Sequence, residues 1–550
     1  MLGPMQRSTA KGESAPETRM GARSPDAPLV ALFAGLAVAA CLFAFVGLGR
    51  SGYWTDELFT LFVIDHGGGL TGVFRRALTD THPPAYYFLL YGWSKLFGLS
   101  EVPIRLLSAL CAVAAAGVFF VSLRRVFSLT ARLFALALAL NATFWFDQAQ
   151  NARSYALCML ISALLLAFAL AARRQVAAGS RFPAWPCLGL VLAGAFGSFC
   201  HSYVFLEVGL IYLFVAFTVP SLRLQIVLVA VGLVVAALTA LYARALLHGT
   251  QQDVHHMWFR KDPIFFFNQV TVAWRIGFGI SGWIAAALLA ISAWRRRGGP
   301  GAPGPATDER RWVGTLCASV HVGMIVLGIA VSLAVAPSMS SQNLATASPL
   351  LWAVVAWLYD VGGPRLDRRA GRIFAAVLAL APLAHLTVLP GRFLNRNEDW
   401  RGSARYVAGM PACAGQPIAI ALPRNFGPPT PFFRTLAEQS LYGRYFPQGG
   451  RLHAYLPDEL AGRRPAPGLA AFLAVRAQGA GCPILLWAVH DLPPEDAEAL
   501  RADLQRLPGV APARVEMKPF GNFSHEELGY SPWAAAFVYV AAPPPSTSPR

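Results

Sequence analysis

The sequence predicts a polytopic α-helical membrane protein followed by a C-terminal α/β domain, and three observations carry that prediction. Of the 550 residues, 55% are hydrophobic and only 14% are charged, against about 25% charged in an ordinary soluble protein. Apolar stretches of bilayer-spanning length recur up to about residue 390. Beyond about residue 391 they give way to short strand-like pieces separated by Pro and Gly.

Residues 1–27 are polar and contain Pro, Gly and Ser, the composition of a disordered cytoplasmic tail. The run Leu29 to Leu48 then supplies about 20 apolar residues, enough to cross a hydrocarbon core of roughly 30 Å. It has neither the short core nor the small-residue cleavage site of a removed signal peptide and is read as a retained helix. Further apolar segments lie near 103–123, 131–146, 154–172, 186–200, 203–219, 224–246, 276–294, 313–336, 347–361 and 373–390. Together they predict about eleven spans within a transmembrane domain over residues 28–390. The loop 51–102, between the first two spans, mixes apolar residues with Arg75, Arg76, Trp93 and Lys95 over Leu58 to Ile64, Leu70 to Leu78 and Tyr86 to Phe97, the pattern of helices lying along a membrane surface. Gly298 to Asp308 reads as a Gly/Pro linker.

Basic residues set the expected orientation. Arg7, Lys11, Arg19 and Arg23 at the N-terminus, Arg124-Arg125, Arg173-Arg174, Arg223, Arg295 to Arg297 with Arg310-Arg311, and Arg365 to Arg372 all fall on one side, which the positive-inside rule makes cytoplasmic. The opposite side receives the loop 51–102, the Asp147 to Arg153 turn, the stretch 247–275 and residues 391–550. Topology and anionic lipid thus account for most of the formal charge of +17, and a nucleic-acid partner is not expected.

In residues 391–550, Pro417 to Leu422, Pro483 to Ala488 and Ala534 to Val540 read as strands, and Pro494 to Leu507 as a helix after a proline start. A small α/β domain follows. Asn425 to Pro429 and Asn522 to His525 are turns or recognition loops. Six cysteines lie in or beside apolar segments, whereas Cys413 and Cys482 lie in this second domain. An oxidising compartment would favour their pairing, but sequence gives no distance between them.

Chemistry-bearing residues gather on the expected outer side. Trp54-Thr55-Asp56-Glu57 follows the first span, and Asp80-Thr81-His82-Pro83-Pro84 closes the same loop. Desolvation raises a carboxylate's pKa and improves it as a proton acceptor, while cationic neighbours act the other way. Asp56 alone reads equally as a helix cap or a partner of Arg75 or Arg76. Arg153 and Tyr155 at one turn and His201 and Tyr203 at another meet the same face, where ionisable residues are costly to keep. Snorkelling to headgroups is the plainer account of Arg153, and a hydrogen-bonded interfacial histidine that of His201. His255, His256, Arg260 and Lys261 concentrate cations among aromatics, suited to a phosphate or to an interfacial belt. Adjacent histidines share no helix face, so metal binding there is disfavoured.

Trp54 to Glu57, Asp80 to Leu90, Leu96 to Glu101 and Arg105 to Leu110 resemble the N-terminal signature of the GT-C glycosyltransferases, most closely the bacterial relatives of the protein O-mannosyltransferases and the aminoarabinose transferase of lipid A. Asn151 to Tyr155 resembles the family's Arg-x-Tyr turn, His201 to Tyr203 its His-x-Tyr turn, and Glu398 to Arg401 its Asp-Trp-Arg piece. One departure is Gln342-Asn343 ahead of Pro349, where relatives often carry Arg-Tyr or Arg-Asn; Arg260 or Lys261 would then have to replace a phosphate contact.

The resemblance implies a polyprenyl-phosphate-sugar donor, transfer at the periplasmic face of the bacterial inner membrane, and inversion at the anomeric carbon. The acceptor would be a glycan, lipid or protein, with membrane lipids as surroundings. It further implies Asp56 as general base, with His82 near phosphate or acceptor and Arg153, Arg260 and Lys261 as candidate cations offsetting the leaving phosphate; Tyr155, His201, Tyr203, His255, His256 and the departing pair Gln342 and Asn343 complete the candidate substrate-binding positions. Glu57 and Asp80 would position substrate or, with Asp56, hold a divalent cation in members that use one. A transporter or flippase of lipid-linked sugars is the rival reading, but such proteins place charges in mid-bilayer on broken, repeated helices. A catalytically silent binding subunit is the third, opposed by the retained Asp56 and Asp80.

Overall fold

The structure, a computed structural model, describes residues 27–80, 82–249, 260–295, 305–362, 369–388, 399–421, 438, 442–446, 452–455, 459, 482–487, 494–506, 514–521 and 533–540. The expected disordered tail, the loops at 425–429 and 522–525, and most of the linker at 298–308 lie outside them.

Every expected apolar segment holds a helix. In chain order they are α1 (Ala27–Phe43), α2 (Thr55–Val63), α3 (Gly69–Ala77), α4 (Ala85–Phe97), α5 (Glu101–Ser122), α6 (Leu129–Leu140), α7 (Thr143–Ala149), α8 (Tyr155–Ala177), α9 (Ala184–Ser198) and α10 (Ser202–Thr218). Then come α11 (Leu222–Gly249), α12 (Pro263–Arg295), α13 (Pro305–Ala334), α14 (Ser341–Ala345), α15 (Ser348–Gly362), α16 (Arg369–Val388) and α17 (Trp400–Ala408). Among the described residues α5, α8, α11 and α13 are each long and apolar enough to cross a bilayer, the bent pair α6–α7 and the broken α12 satisfy the same test as units, and α1, α9, α10, α15 and α16 contain shorter apolar helices.

The direction in which apolar side chains point identifies the surroundings. On α11, Leu222, Leu233 and Leu241 are 71%, 67% and 64% exposed. Leucines turned outward along one helix are stable only where the solvent is itself apolar. By contrast α8 is largely buried and packs between α5 and α9, while α1 lies on α6 and α15 on α6, α12 and α13. This is a polytopic membrane fold.

Two breaks depart from simple spans. The α6–α7 pair turns by 70° around Asn141, whose amide is tied to Ala137 O at 2.9 Å. Within α12 the chain bends by 87° at Gly279, whose φ of 68° suits a residue without a Cβ. The helix also begins earlier than the expected 276, because Asp262 Oδ1 accepts the Phe265 N–H at 2.8 Å and caps it. The three segments of loop 51–102 read as surface helices are helical, as α2, α3 and α4.

Beyond α17 lie five strands, β1 (Ile418–Ala421), β2 (Leu452–Tyr455), β3 (Ile484–Trp487), β4 (Arg514–Gly521) and β5 (Trp533–Val540), with α18 (Pro494–Arg506) packed on β4. The sheet order is β2-β1-β3-β5-β4. β1 runs parallel to β2 and β3, and β5 runs antiparallel to β3 and β4. The strands at 417–422, 483–488 and 534–540 and the helix at 494–507 stand where the sequence puts them. β2 and β4 are additional; both are edge strands, and β4 carries Lys518 and Pro519, which a sheet tolerates only at its rim. Cys413 and Cys482 form a disulfide with Cα atoms 4.6 Å apart, fastening the turn before β1 to the start of β3.

Candidate active site

The site begins where α2 starts. Trp54 is extended, with φ −96° and ψ 176°, and the next residue enters the helix, so Asp56 and Glu57 fall in the first turn, where negative charge complements the helix dipole. Successive helical residues diverge by about 100°, so the two acids face different surroundings. Glu57 is fully buried. Arg105 donates to it from Nε at 2.8 Å and from Nη2 at 2.5 Å, and the backbone N–H groups of Ala152 and Trp54 donate at 2.9 and 3.3 Å. Arg105 also donates to the carbonyls of Leu48, Ser51 and Gly52. Glu57 and Arg105 thus pin three chain segments together.

Asp56 is the open acid. Its side chain is 37% exposed, against 9% for Asp80, and the guanidinium of Arg153 lies between them, at 3.8 Å from Asp56 Oδ2 and 4.0 Å from Asp80 Oδ2. Arg153 also donates to His82 Nδ1 at 3.2 Å, Thr60 Oγ1 at 3.3 Å and the Asp56 carbonyl at 3.3 Å. Burial works against the charge of Arg153, but Asp56 and Asp80 outweigh it and hold the guanidinium more firmly protonated than usual. Asp80 accepts from the Tyr87 hydroxyl and lies 3.5 Å from His82 Nδ1. The alternative partners of Asp56 do not take it up: Arg76 turns instead to the carbonyls of Val63, Asp65 and Gly67.

The His82 loop is held against the α9–α10 connection because the Ala85 N–H donates to Phe199 O at 2.8 Å. His201 then lies 5.1 Å from His82 and 5.5 Å from Tyr155, ring to ring, and Tyr203 lies 6.3 Å from His201. As N-cap of α10, His201 accepts the Tyr203 N–H on Nδ1 at 3.1 Å. Burial, with His82 and Arg153 adding to it, pushes its pKa well below the ordinary histidine value. The neutral ring therefore carries its proton on Nε2, which is buried and turned to the Asn343 amide, whose weak hydrogen bond partly opposes that shift.

The structure therefore gathers Asp56, Asp80, His82, Arg153, Tyr155, His201, Tyr203 and Asn343 into one cluster. Gln342 is half-buried on α14 beside Asn343. Arg260 and Lys261 are exposed just before α12, and His255 and His256 lie outside the described residues. Glu57 differs from its expected place beside substrate, because its oxygens are taken by Arg105 and two backbone N–H groups. The divalent site considered for Asp56, Glu57 and Asp80 does not fit this donor set: a guanidinium stands between the first and third acids, and another binds the second. Among the described residues no group of three or more His, Cys, Asp or Glu side chains is arranged to hold a metal ion.

Sequence reasoning missed the roles of Arg105, Tyr87 and Tyr242. Arg105 sits inside an apolar segment, where a buried charge is itself a signal. Tyr87 and Tyr242 carried none, since only the fold brings the Tyr242 hydroxyl to the carbonyls of Ala77 and His82, at 3.1 and 3.3 Å.

Residues 81–242 match the family model described as dolichyl-phosphate-mannose-protein mannosyltransferase. Among curated proteins, none matches the chain in sequence. Among solved structures, ArnT from Cupriavidus metallidurans in the apo state aligns with a TM-score of 0.53 at 14% identity, covering 94% of this chain and 100% of that one. The same protein bound to undecaprenyl phosphate aligns with a TM-score of 0.50 at 15% identity, over 94% of this chain and 98% of that one. The chain thus shares the fold of ArnT over nearly its whole length, and its residues 81–242 are similar to the family described as dolichyl-phosphate-mannose-protein mannosyltransferase.

Proposed function

We propose that the chain is a glycosyltransferase that moves a sugar from a polyprenyl-phosphate-linked donor to an acceptor hydroxyl, with inversion, at the extracytoplasmic face of the inner membrane. The observation that carries this reading is the pairing of an open Asp56 with an enclosed Asp80 across Arg153. One of the two acids is free to meet a substrate, and the other holds the guanidinium that orients it. The fold shared with a protein solved with undecaprenyl phosphate supports a donor of that kind.

In the step proposed, the acceptor oxygen forms a bond to the anomeric carbon as its proton passes to the Asp56 carboxylate. The bond from that carbon to the phosphate oxygen breaks on the opposite face, and the polyprenyl phosphate departs with the electron pair. Arg153 is committed to two carboxylates, so stabilisation of the leaving phosphate falls to the exposed Arg260 and Lys261. His201 Nε2 donates to the donor, Tyr155 and Tyr203 shape its pocket, and Gln342 and Asn343 offer amides to sugar or phosphate oxygens. His82 stays beside the reacting groups through Arg153.

The disulfide and the contact between the two parts of the chain support placing the site on the extracytoplasmic side. A bridge such as Cys413–Cys482 persists in an oxidising compartment, and Tyr445, from the same part of the chain, bonds Tyr53 just ahead of Asp56, which favours the same side for both.

The test uses full-length protein in lipid nanodiscs, undecaprenyl-phosphate donors each carrying one hexose or pentose, and cell-envelope extract as acceptor. Asp56→Asn should lower transfer by about 10²–10⁴-fold while leaving undecaprenyl phosphate binding unchanged. Near-normal transfer by that variant removes Asp56 from the role.

A further inference from the structure

The C-terminal domain reaches back to the segment that launches the Asp56 helix. Tyr445, in the short 3-10 turn Tyr442–Tyr445, uses one hydroxyl twice: it accepts the Tyr53 N–H at 2.5 Å and donates to the Tyr53 carbonyl at 3.2 Å. Arg444 lies over the Tyr53 ring at 5.4 Å and donates to Leu99 O, which also accepts the Tyr53 hydroxyl at 3.0 Å. Arg401 of α17 donates to the carbonyls of Gly49 and Arg50 at 2.9 and 2.6 Å and to Glu101 at 3.1 Å. Residues 49–53 are thus held from above by three side chains of the C-terminal domain and from below by Arg105.

Gly52 shows how closely the two parts meet. A Cβ built on it would stand 2.9 Å from both Arg401 Cβ and the Tyr445 hydroxyl oxygen. A side chain there would force Arg401 and Tyr445 to shift from their places against the segment. From Tyr53 the path to the reacting acid is short: Trp54 caps α2, its N–H meets Glu57 and its indole donates to Asn151 Oδ1 at 3.1 Å, and Asp56 follows in the first turn.

We propose that Tyr445 is a positioning residue for the transfer reaction, its hydroxyl fixing both polar groups of the Tyr53 backbone so that the first turn of α2 presents Asp56 at a set angle. The proposal rests on the function given above. It makes the C-terminal domain part of the catalytic apparatus through the backbone it orders, with no contact to substrate required of it. Burial holds the Tyr445 phenol protonated, which lets one oxygen donate and accept together. Glu57 and Arg105 fix the same turn from the other side of the chain, and Arg401 and Arg444 hold the segment ahead of it, so removing the Tyr445 hydroxyl loosens one anchor among several and leaves the fold standing.

The experiment compares wild type, Tyr445→Phe and Gly52→Ala as full-length protein in nanodiscs, with Asp56→Asn as reference. Measured are undecaprenyl phosphate affinity, kcat and KM for the donor that wild type turns over, thermal midpoint, and amide exchange over residues 54–58. Tyr445→Phe should lower kcat about 10- to 100-fold, as a displaced base does, with KM and undecaprenyl phosphate affinity within about twofold and exchange at 54–58 faster by about 10-fold. Gly52→Ala should act in the same direction from the other partner. Unchanged kcat, a change confined to KM, or unchanged exchange at 54–58 in Tyr445→Phe overturns the proposal. If Asp56→Asn itself keeps near-normal transfer, the functional reading fails, and the exchange measurement still decides whether Tyr445 orders the turn.

Discussion

Glu57 and Arg105 form a two-point ion pair, Nε to Oε1 at 2.8 Å and Nη2 to Oε2 at 2.5 Å, with both side chains removed from solvent. A buried pair adds little over an apolar pair of the same shape, but breaking one partner leaves a charge stranded. This pair also joins α2, α5 and the loop before α8, so its loss is felt across the site.

Glu57→Ala and Arg105→Ala should each destabilise the protein by about 3–5 kcal/mol. Denaturant or thermal unfolding in detergent checks this. The double variant should be less damaged than the sum of the two, which a double-mutant cycle reads directly.

Asp80→Asn should behave differently from Asp56→Asn. Asp80 accepts from Tyr87 and lies against His82 and Arg153 while almost wholly enclosed. Its neutralisation should cost about 1–3 kcal/mol of stability and lower transfer by freeing Arg153. A thermal midpoint matching wild type would show that the enclosed acid is dispensable to the fold.

His201 gives a pH signature. Its folded pKa is depressed by burial, so below the unfolded value of about 6.5 the unfolded chain takes up a proton that the folded chain does not. Stability tied to the neutral ring is complete above about pH 6.5 and falls by up to about 1.4 kcal/mol per unit as pH drops toward the folded value. His201→Gln should flatten that slope between about pH 6.5 and 5 in thermal unfolding. An identical slope in wild type and variant would place the acid sensitivity elsewhere.

The Cys413–Cys482 bridge spans a sequence separation of 69. Opening a loop of that size should cost the C-terminal domain about 4 kcal/mol on the chain-entropy account. Reductant, or the Cys413→Ser/Cys482→Ser pair, should make the strands from β1 to β5 more susceptible to limited proteolysis while α8 stays protected. Equal cleavage with and without reductant would contradict it.

The sequence alone determined the apolar helices, their order, the helical character of three segments in loop 51–102, and three strands with one helix beyond residue 391. Those features rest on local periodicity and composition, which a linear reading captures. It also named most of the polar residues that the structure brings together, among them Asp56, Asp80, His82, Arg153 and His201. Only tertiary structure divided the labour among the acids. Asp56 and Glu57 are neighbours in sequence, yet about 100° of helix rotation turns one toward solvent beside Arg153 and the other into the grip of Arg105. The Tyr445 contact with Tyr53 joins residues 392 positions apart, and no local pattern encodes a meeting at that range. It arises because the C-terminal domain docks where Gly52 leaves room for it.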